Sequence, residues 1–350
     1  MKVQKIDKSL YYDPKRIVEK DRMLNFICGG TGIGKTYGFK KMAMLNFIDN
    51  GEQFMFWRRN ERNFRDIDNF FEPFKCVDDE DKRLTDGWEV SHKGCCFKYK
   101  GKVAGYYRPL GSLQQKGSEF PNVGIIIFDE FIKHLGFERY LDNEFNCFLG
   151  AIDAVCRYKN EVKVYCLSNA VSLYNPYFLE IGYIYDGKEF WCPKSKDGKG
   201  LANDSCVQFI KEAPITKALS ETRFGRLISG TSYGGYALNS ESLIDTGEFI
   251  KKKGRYAQLI IIIEIDGIDY GVWQEPSGDL YVSKSVGNRD CAWYSNSDSV
   301  RKAGYYTIRG LKNTGMWPVL VQSYDIGHMF FEDQQCKSAG ISLMKEGFRV

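Results

Sequence analysis

Along the chain, short apolar runs alternate with amphipathic stretches. After a polar, basic opening, "KSLYYDPKRIVEKDR", the run "MLNFIC" ends in glycine and predicts a buried strand. From Lys35 onward, Tyr37, Met42, Leu45 and Ile48 suit one face of a helix, which Gly51 stops. "QFMFWRR" predicts a second strand. Strand, glycine-rich turn, helix and strand make one βαβ unit, so the sheet is mostly parallel. "NERNFRDIDNFF" reads as helical, and "KGCCFKYKGKVAGYYRPL" as a hairpin turning at Lys100-Gly101-Lys102. "VGIIIFDEF" is a continuous apolar run, typical of a strand covered on both faces, and it closes on two acids. An amphipathic helix, "NEFNCFLGAIDAVCRY", precedes another buried strand, "EVKVYCLSNA".

This alternation predicts an α/β domain over 1–205, closed by the Lys/Gly/Asp/Ser-rich stretch "WCPKSKDGKGLANDS". Residues 206–250, with short helices and glycine-rich turns, read as a linker subdomain. From 251 the pattern turns to β, "YAQLIIIIEIDGIDYGVWQ", "GDLYVSKS", "GYYTIRG" and "WPVLVQS", and ends with helical candidates: a smaller α+β domain over 251–350.

Composition changes this picture little. A chain of 350 residues with 43% apolar content supports two cores. A net charge of +4 neither identifies a nucleic-acid binder nor excludes one that grips through a few placed side chains. No stretch has the parts of a signal peptide, and the longest apolar run, "QLIIIIEI", is too short to span a bilayer. The eleven cysteines include no C-x-x-C pair, and the three histidines are dispersed. The expectation is a soluble intracellular protein with free thiols, no metal cluster and no membrane partner.

The chemistry begins at Gly29-Gly30-Thr31-Gly32-Ile33-Gly34-Lys35-Thr36, which fits G-x-x-x-x-G-K-[ST] in full. Glycines let backbone N–H groups close on phosphate oxygens, and the following helix adds its positive end. Lys35 is placed to reach the β- and γ-phosphates and Thr36 to bind Mg²⁺, so ATP with Mg²⁺ is the expected ligand. Four bulky residues, Ile125 to Phe128, set Asp129 at a strand's carboxyl edge, where it would hold the metal. Glu130 is the more informative acid. Transfer to a hydroxyl needs no second carboxylate here, whereas hydrolysis needs a base for water. At the end of the third strand, Asn169 suits either a γ-phosphate sensor or ordinary strand-end capping. Arg58 and Arg59, after the second strand, could face the nucleotide or a neighbouring subunit.

These residues resemble a family: the DNA-packaging (encapsidation) ATPases of small tailed phages of the phi-29-like group, distant relatives of terminase large subunits. The matching segments are "DKSLYYDPKRI", "LNFICGGTGIGKTY", "GEQFMFWRR", "FPNVGIIIFDEFI", "CLSNAVSLYNPYF" and "TRFGRLISGTSYG"; the likeness weakens beyond about 255. The resemblance implies an ASCE-type P-loop domain and a degenerate RNase H-like C-terminal domain. It also implies a homomeric ring, usually a pentamer, docked on the procapsid portal in the host cytoplasm and driving double-stranded DNA inward. In some relatives a packaging RNA bridges motor and capsid. Residue by residue, it implies that Arg157 is the arginine finger and Lys116 a second trans-acting basic residue. Arg58 matches an arginine of the nucleotide site, and Lys133 a pore lysine that touches DNA phosphate. Where the family has a second pore lysine this chain has Glu61, with Arg62 adjacent as a substitute. Glu264, Asp266 and Asp269 are the carboxylates a live nuclease would need. The cluster Lys251-Lys252-Lys253 with Arg255 could touch DNA, portal or RNA.

Overall fold

The structure is a computed structural model that describes residues 8–75, 81–112, 120–133, 140–141, 143–156, 162–169, 175–183, 188–195, 198–211, 213–231, 234, 249–265, 267–287, 291–296 and 304–348. The chain divides into two compact units, one around each of two sheets.

Among the described residues the first sheet has nine strands: β1 (Leu24–Gly29), β2 (Gln53–Arg58), β3 (Trp88–Ser91), β4 (Cys96–Tyr99), β5 (Lys102–Pro109), β6 (Val123–Asp129), β7 (Lys163–Asn169), β8 (Phe190–Trp191) and β9 (Ser205–Ile210). Their order is β3-β4-β5-β2-β6-β7-β1-β9-β8. The six central strands, β5 to β9 in that order, pair in parallel, and antiparallel hairpins finish both edges. All residues of β1, β6 and β9 are buried, as apolar runs in a doubly covered sheet require. The registers Gly29↔Asn169 and Asp129↔Leu167 align the carboxyl ends of β1, β7 and β6 along one edge.

The strand expectations hold except for "WPVLVQS", which lies in the helix Met316–Asp325: Pro318 sits in its first turn, and Leu320 and Ser323, one turn apart, form its buried side. Several finer expectations also change. The segment after β2 is not one helix. It forms two 3₁₀ turns, Glu61–Phe64 and Ile67–Asn69, and a single turn of α-helix at Glu72–Lys75. Its Asn and Asp side chains compete for backbone partners, as when Asn63 Oδ1 accepts from Asn60 N at 3.1 Å. The helix Lys35–Asn50 buries Gly38, Phe39, Ala43 and Met44 rather than the predicted stripe, which packs half-buried on the flank. Gly38 is required there, because a Cβ would stand 2.7 Å from the Tyr12 carbonyl oxygen.

The loop expected to end the first domain instead joins the edge strands β8 and β9, so the sheet continues past residue 205 to Ile210. The same hairpin corrects the thiol expectation. Trp191 pairs with Val207, which brings the next residue, Cys192, opposite Cys206, and the two sulfurs are bonded.

The second sheet, among the described residues, has β10 (Gln258–Ile265), β11 (Ile268–Gln274), β12 (Leu280–Ser283), β13 (Trp293–Ser295), β14 (Tyr305–Thr307) and β15 (Met329–Phe331), in the order β14-β13-β10-β11-β12-β15. β10 to β12 are the expected antiparallel meander, while β13, β14 and β15 add in parallel. Ile261, Ile263, Val272, Val282, Leu311 and Leu343 build a core separate from that of the first unit. Among the described residues no helix is long and apolar enough to cross a membrane.

Candidate active site

The carboxyl edge of the first sheet gathers most of the predicted residues. Between β1 and the helix, Gly32 and Gly34 take φ of 77° and 91°, the left-handed region that favours glycine. Gly34 has a second constraint: a Cβ would lie 2.6 Å from the Tyr11 ring side chain. The N-terminal segment is thus packed onto the loop, and Tyr12 N donates to Ile33 O at 2.9 Å. Gly34 sits at the N-cap of Lys35–Asn50, so this long helix directs its positive end at the loop.

Lys35 is buried, and its Nζ donates to Gly30 O (2.7 Å), Gly29 O (3.2 Å) and Asn169 Oδ1 (3.2 Å). Burial pushes its ammonium down to about 8, against the opposing pull of Cys28 and Asp129. Asn169 therefore stands beside the loop, bonded to its lysine. Thr36 Oγ1 donates to Asp129 Oδ1 at 3.0 Å. A hydroxyl beside a buried carboxylate is a hard-oxygen pair suited to Mg²⁺, so the donors present fit that ion.

Asp129 and Glu130 share one cation. Arg58 Nη2 lies 2.8 Å from Asp129 Oδ2, and its Nη1 lies 2.5 Å from Glu130 Oε2. Glu130 follows directly on β6 with a φ of 64°, uncommon for a residue with a Cβ and a form of strain that collects at functional sites. Two bonds hold it there: Glu130 N and Phe131 N both donate to Leu167 O, at 2.7 and 3.2 Å. Arg59, open to two readings in the sequence, is buried and donates to the carbonyls of Glu130 (3.3 Å) and Phe131 (2.5 Å). It holds the backbone just past the end of β6. No sequence signal separates it from its neighbour Arg58, beyond the alternation that sends successive strand residues to opposite faces.

Arg62 is exposed on the first 3₁₀ turn after β2, and Lys133 is half-buried three residues past Glu130. Arg157, Lys116 and Asp266 lie outside the described residues.

The model of the Podovirus DNA encapsidation protein (Gp16) family matches residues 6–348. The chain belongs to this family. Two curated encapsidation relatives, the DNA packaging proteins of Bacillus phage phi29 and Bacillus phage PZA, are each 31% identical over 344 residues, covering 97% of this chain and 99% of theirs. A solved structure, the bacteriophage Phi-29 viral genome packaging motor assembly, aligns at 30% identity and a TM-score of 0.64, over 97% of this chain and 99% of that one. The Phi-28 gp11 DNA packaging motor aligns at 20% identity and a TM-score of 0.57, over 97% of this chain, a likeness of fold. The encapsidation-family match spans both sheets, so the glycine loop and the Asp129–Glu130 edge belong to a full-length homologue and not to a borrowed nucleotide motif.

Proposed function

We propose that the protein is the ATP-hydrolysing motor that drives double-stranded viral DNA into an empty procapsid. The observation that carries this reading is the gathering, at the carboxyl edge of a parallel sheet, of two adjoining bonded sets: Lys35 with Asn169, and Thr36, Asp129, Arg58 and Glu130. Such edges are where open α/β sheets bind ligands. Loop N–H groups and Lys35 hold the β- and γ-phosphates, which requires Lys35 to turn from the carbonyls of its own loop. Thr36 and Asp129 would hold Mg²⁺, which when bound neutralises phosphate charge. Glu130 takes the proton of the attacking water as its oxygen bonds to the γ-phosphorus. The bond to the β-phosphate oxygen breaks, leaving ADP and phosphate. Asn169 senses the γ-phosphate. Arg58, which holds both acids, must release Glu130 before Glu130 can act as base.

The family assignment and the full-length likeness to a genome packaging motor assembly support work on DNA by a ring of copies on the portal. In that ring, usually a pentamer in this family, Arg157 and Lys116 act on the neighbour's nucleotide. Lys133 and Arg62 contact DNA phosphate, giving sequence-independent grip. A packaging RNA is a further candidate partner. We place the RNase H-like domain at 251–350. Its support is the meander β12-β11-β10 continued by β13 and β14, both parallel to β10.

A second reading, a live nuclease, is favoured by one observation. Buried Glu264 stands directly opposite Asp269 across β10 and β11. Cleavage of DNA with Mn²⁺ that disappears in Asp269→Ala would establish it.

The motor reading is tested with Glu130→Gln. The variant keeps nucleotide binding and loses both turnover and packaging; unchanged packaging would overturn the reading.

A further inference from the structure

Lys40, one and a half turns along the helix that follows the loop, makes no ion pair among the described residues, yet its position is specific. Its Nζ lies 3.9 Å from the centroid of the Phe70 ring and 5.5 Å from that of Phe56, and it donates to Phe70 O at 3.3 Å. Burial pushes its ammonium down to about 8, with Asp129 opposing the shift and Arg58 adding to it. A Leu or Met would fill the same space without the cost of desolvating a charge, so packing alone does not account for a cation there.

The surroundings suggest what does. The Phe56 ring, already beside Lys40, also lies 5.6 Å from the Arg58 guanidinium, and it meets Phe70 edge-on at 5.1 Å. Arg58 in turn holds Asp129 and Glu130. Two cations and two rings therefore link the carboxylates to the segment Glu61–Phe70, whose first turn carries exposed Arg62. Cation–ring contacts weaken steeply with distance, and the two like charges near Phe56 repel. A shift of Arg58 away from the acids changes what Lys40 feels and where Phe70 is held.

We propose that Lys40 is a positioning residue that couples the state of the Asp129–Glu130 pair to the segment Glu61–Phe70. The proposal rests on the reading of the loop as an ATP site and adds to it a route by which nucleotide state reaches a surface element.

Amide hydrogen exchange of the full chain, with and without Mg²⁺ and a slowly hydrolysed ATP analogue, tests it. In the wild type the analogue slows exchange both in the loop 29–36 and in 61–75, by about fivefold, as roughly 1 kcal/mol of added local stability would. In Lys40→Met the slowing at 29–36 persists, and that at 61–75 disappears. Lys40→Arg restores at least half of it, because a cation on a long stem still reaches the ring and the carbonyl. Phe70→Leu keeps the carbonyl but removes the ring, and it reduces the response at 61–75 without touching that at 29–36. Slowing at 61–75 that survives in Lys40→Met, or falls in step with that at 29–36, overturns the coupling. A wild type that responds at 29–36 but not at 61–75 overturns the coupling and leaves the ATP site intact. No response at 29–36 in the wild type overturns the ATP site itself, and the coupling with it.

Discussion

The two sheets bury their acids in different ways. At the edge of the first, Asp129 and Glu130 lie at the end of a parallel strand, share Arg58 and stand beside a loop aimed by a helix N-terminus. In the second, Glu264 and Asp269 face each other across an antiparallel pair with Gly267 in its turn, and among the described residues no helix leads out of those strands. Parallel strands require a crossover, and the crossover brings a helix terminus and loop amides to the strand end. A hairpin brings only its own turn. This contrast supports the proposed placement of the ATP chemistry at the first sheet, although both sheets carry paired carboxylates.

The largest effect that could break the contrast is on nucleotide affinity. Lys35→Ala, which removes a buried charge facing the loop, lowers affinity in a fluorescent-nucleotide titration by about 10- to 100-fold, the range for a hydrogen bond to a charged group. Asp269→Ala leaves it unchanged; an equal loss in both would erase the distinction. Next is stability. Leu343→Ala empties a fully buried site in the second core and costs about 2–5 kcal/mol in urea denaturation, while nucleotide affinity stays within a factor of two. A change in affinity would mean that the two units are not energetically separate.

A smaller effect sharpens the geometry of the loop. Gly34→Ala forces a Cβ at φ 91° onto Tyr11 and costs about 1–3 kcal/mol. Adding Tyr11→Ala recovers the steric part but not the backbone part, which a double-mutant cycle separates. Smallest is thiol reactivity. Burial pushes Cys28 in the first unit and Cys336 in the second up to about 12. Both thiols therefore stay protonated at pH 8, and half-buried Cys95 is alkylated before either. Here the two regions should behave alike.

The glycine loop and the acid pair were legible because each is written in consecutive residues: glycines and a lysine at fixed spacing, and four apolar residues before two acids. The meander of the second sheet was legible in the same way. Long-range partners were not. Burial of Arg59 depends on strand pleat and sheet order, which place it against the carbonyls of Glu130 and Phe131. The face chosen by Lys35–Asn50 depends on Tyr11 and Tyr12 returning to cover the loop, so a hydrophobic stripe misjudged it. The 191–205 stretch had the composition of a linker, but such residues also suit a hairpin loop. Only the pairing of β8 with β9 distinguishes the two, and with it the Cys192–Cys206 bond. Nothing in the sequence marks Lys40, because the rings that hold it come from β2 and the turn after it.

A structure of the protein with Mg²⁺ and a slowly hydrolysed ATP analogue tests the central claim most directly. The account predicts triphosphate along Gly30–Thr36, Lys35 moved from the carbonyls of Gly29 and Gly30 onto phosphate, metal beside Thr36 and Asp129, and Glu130 facing the γ-phosphate. Nucleotide bound elsewhere, or Lys35 still held by its own loop with phosphate present, would contradict it.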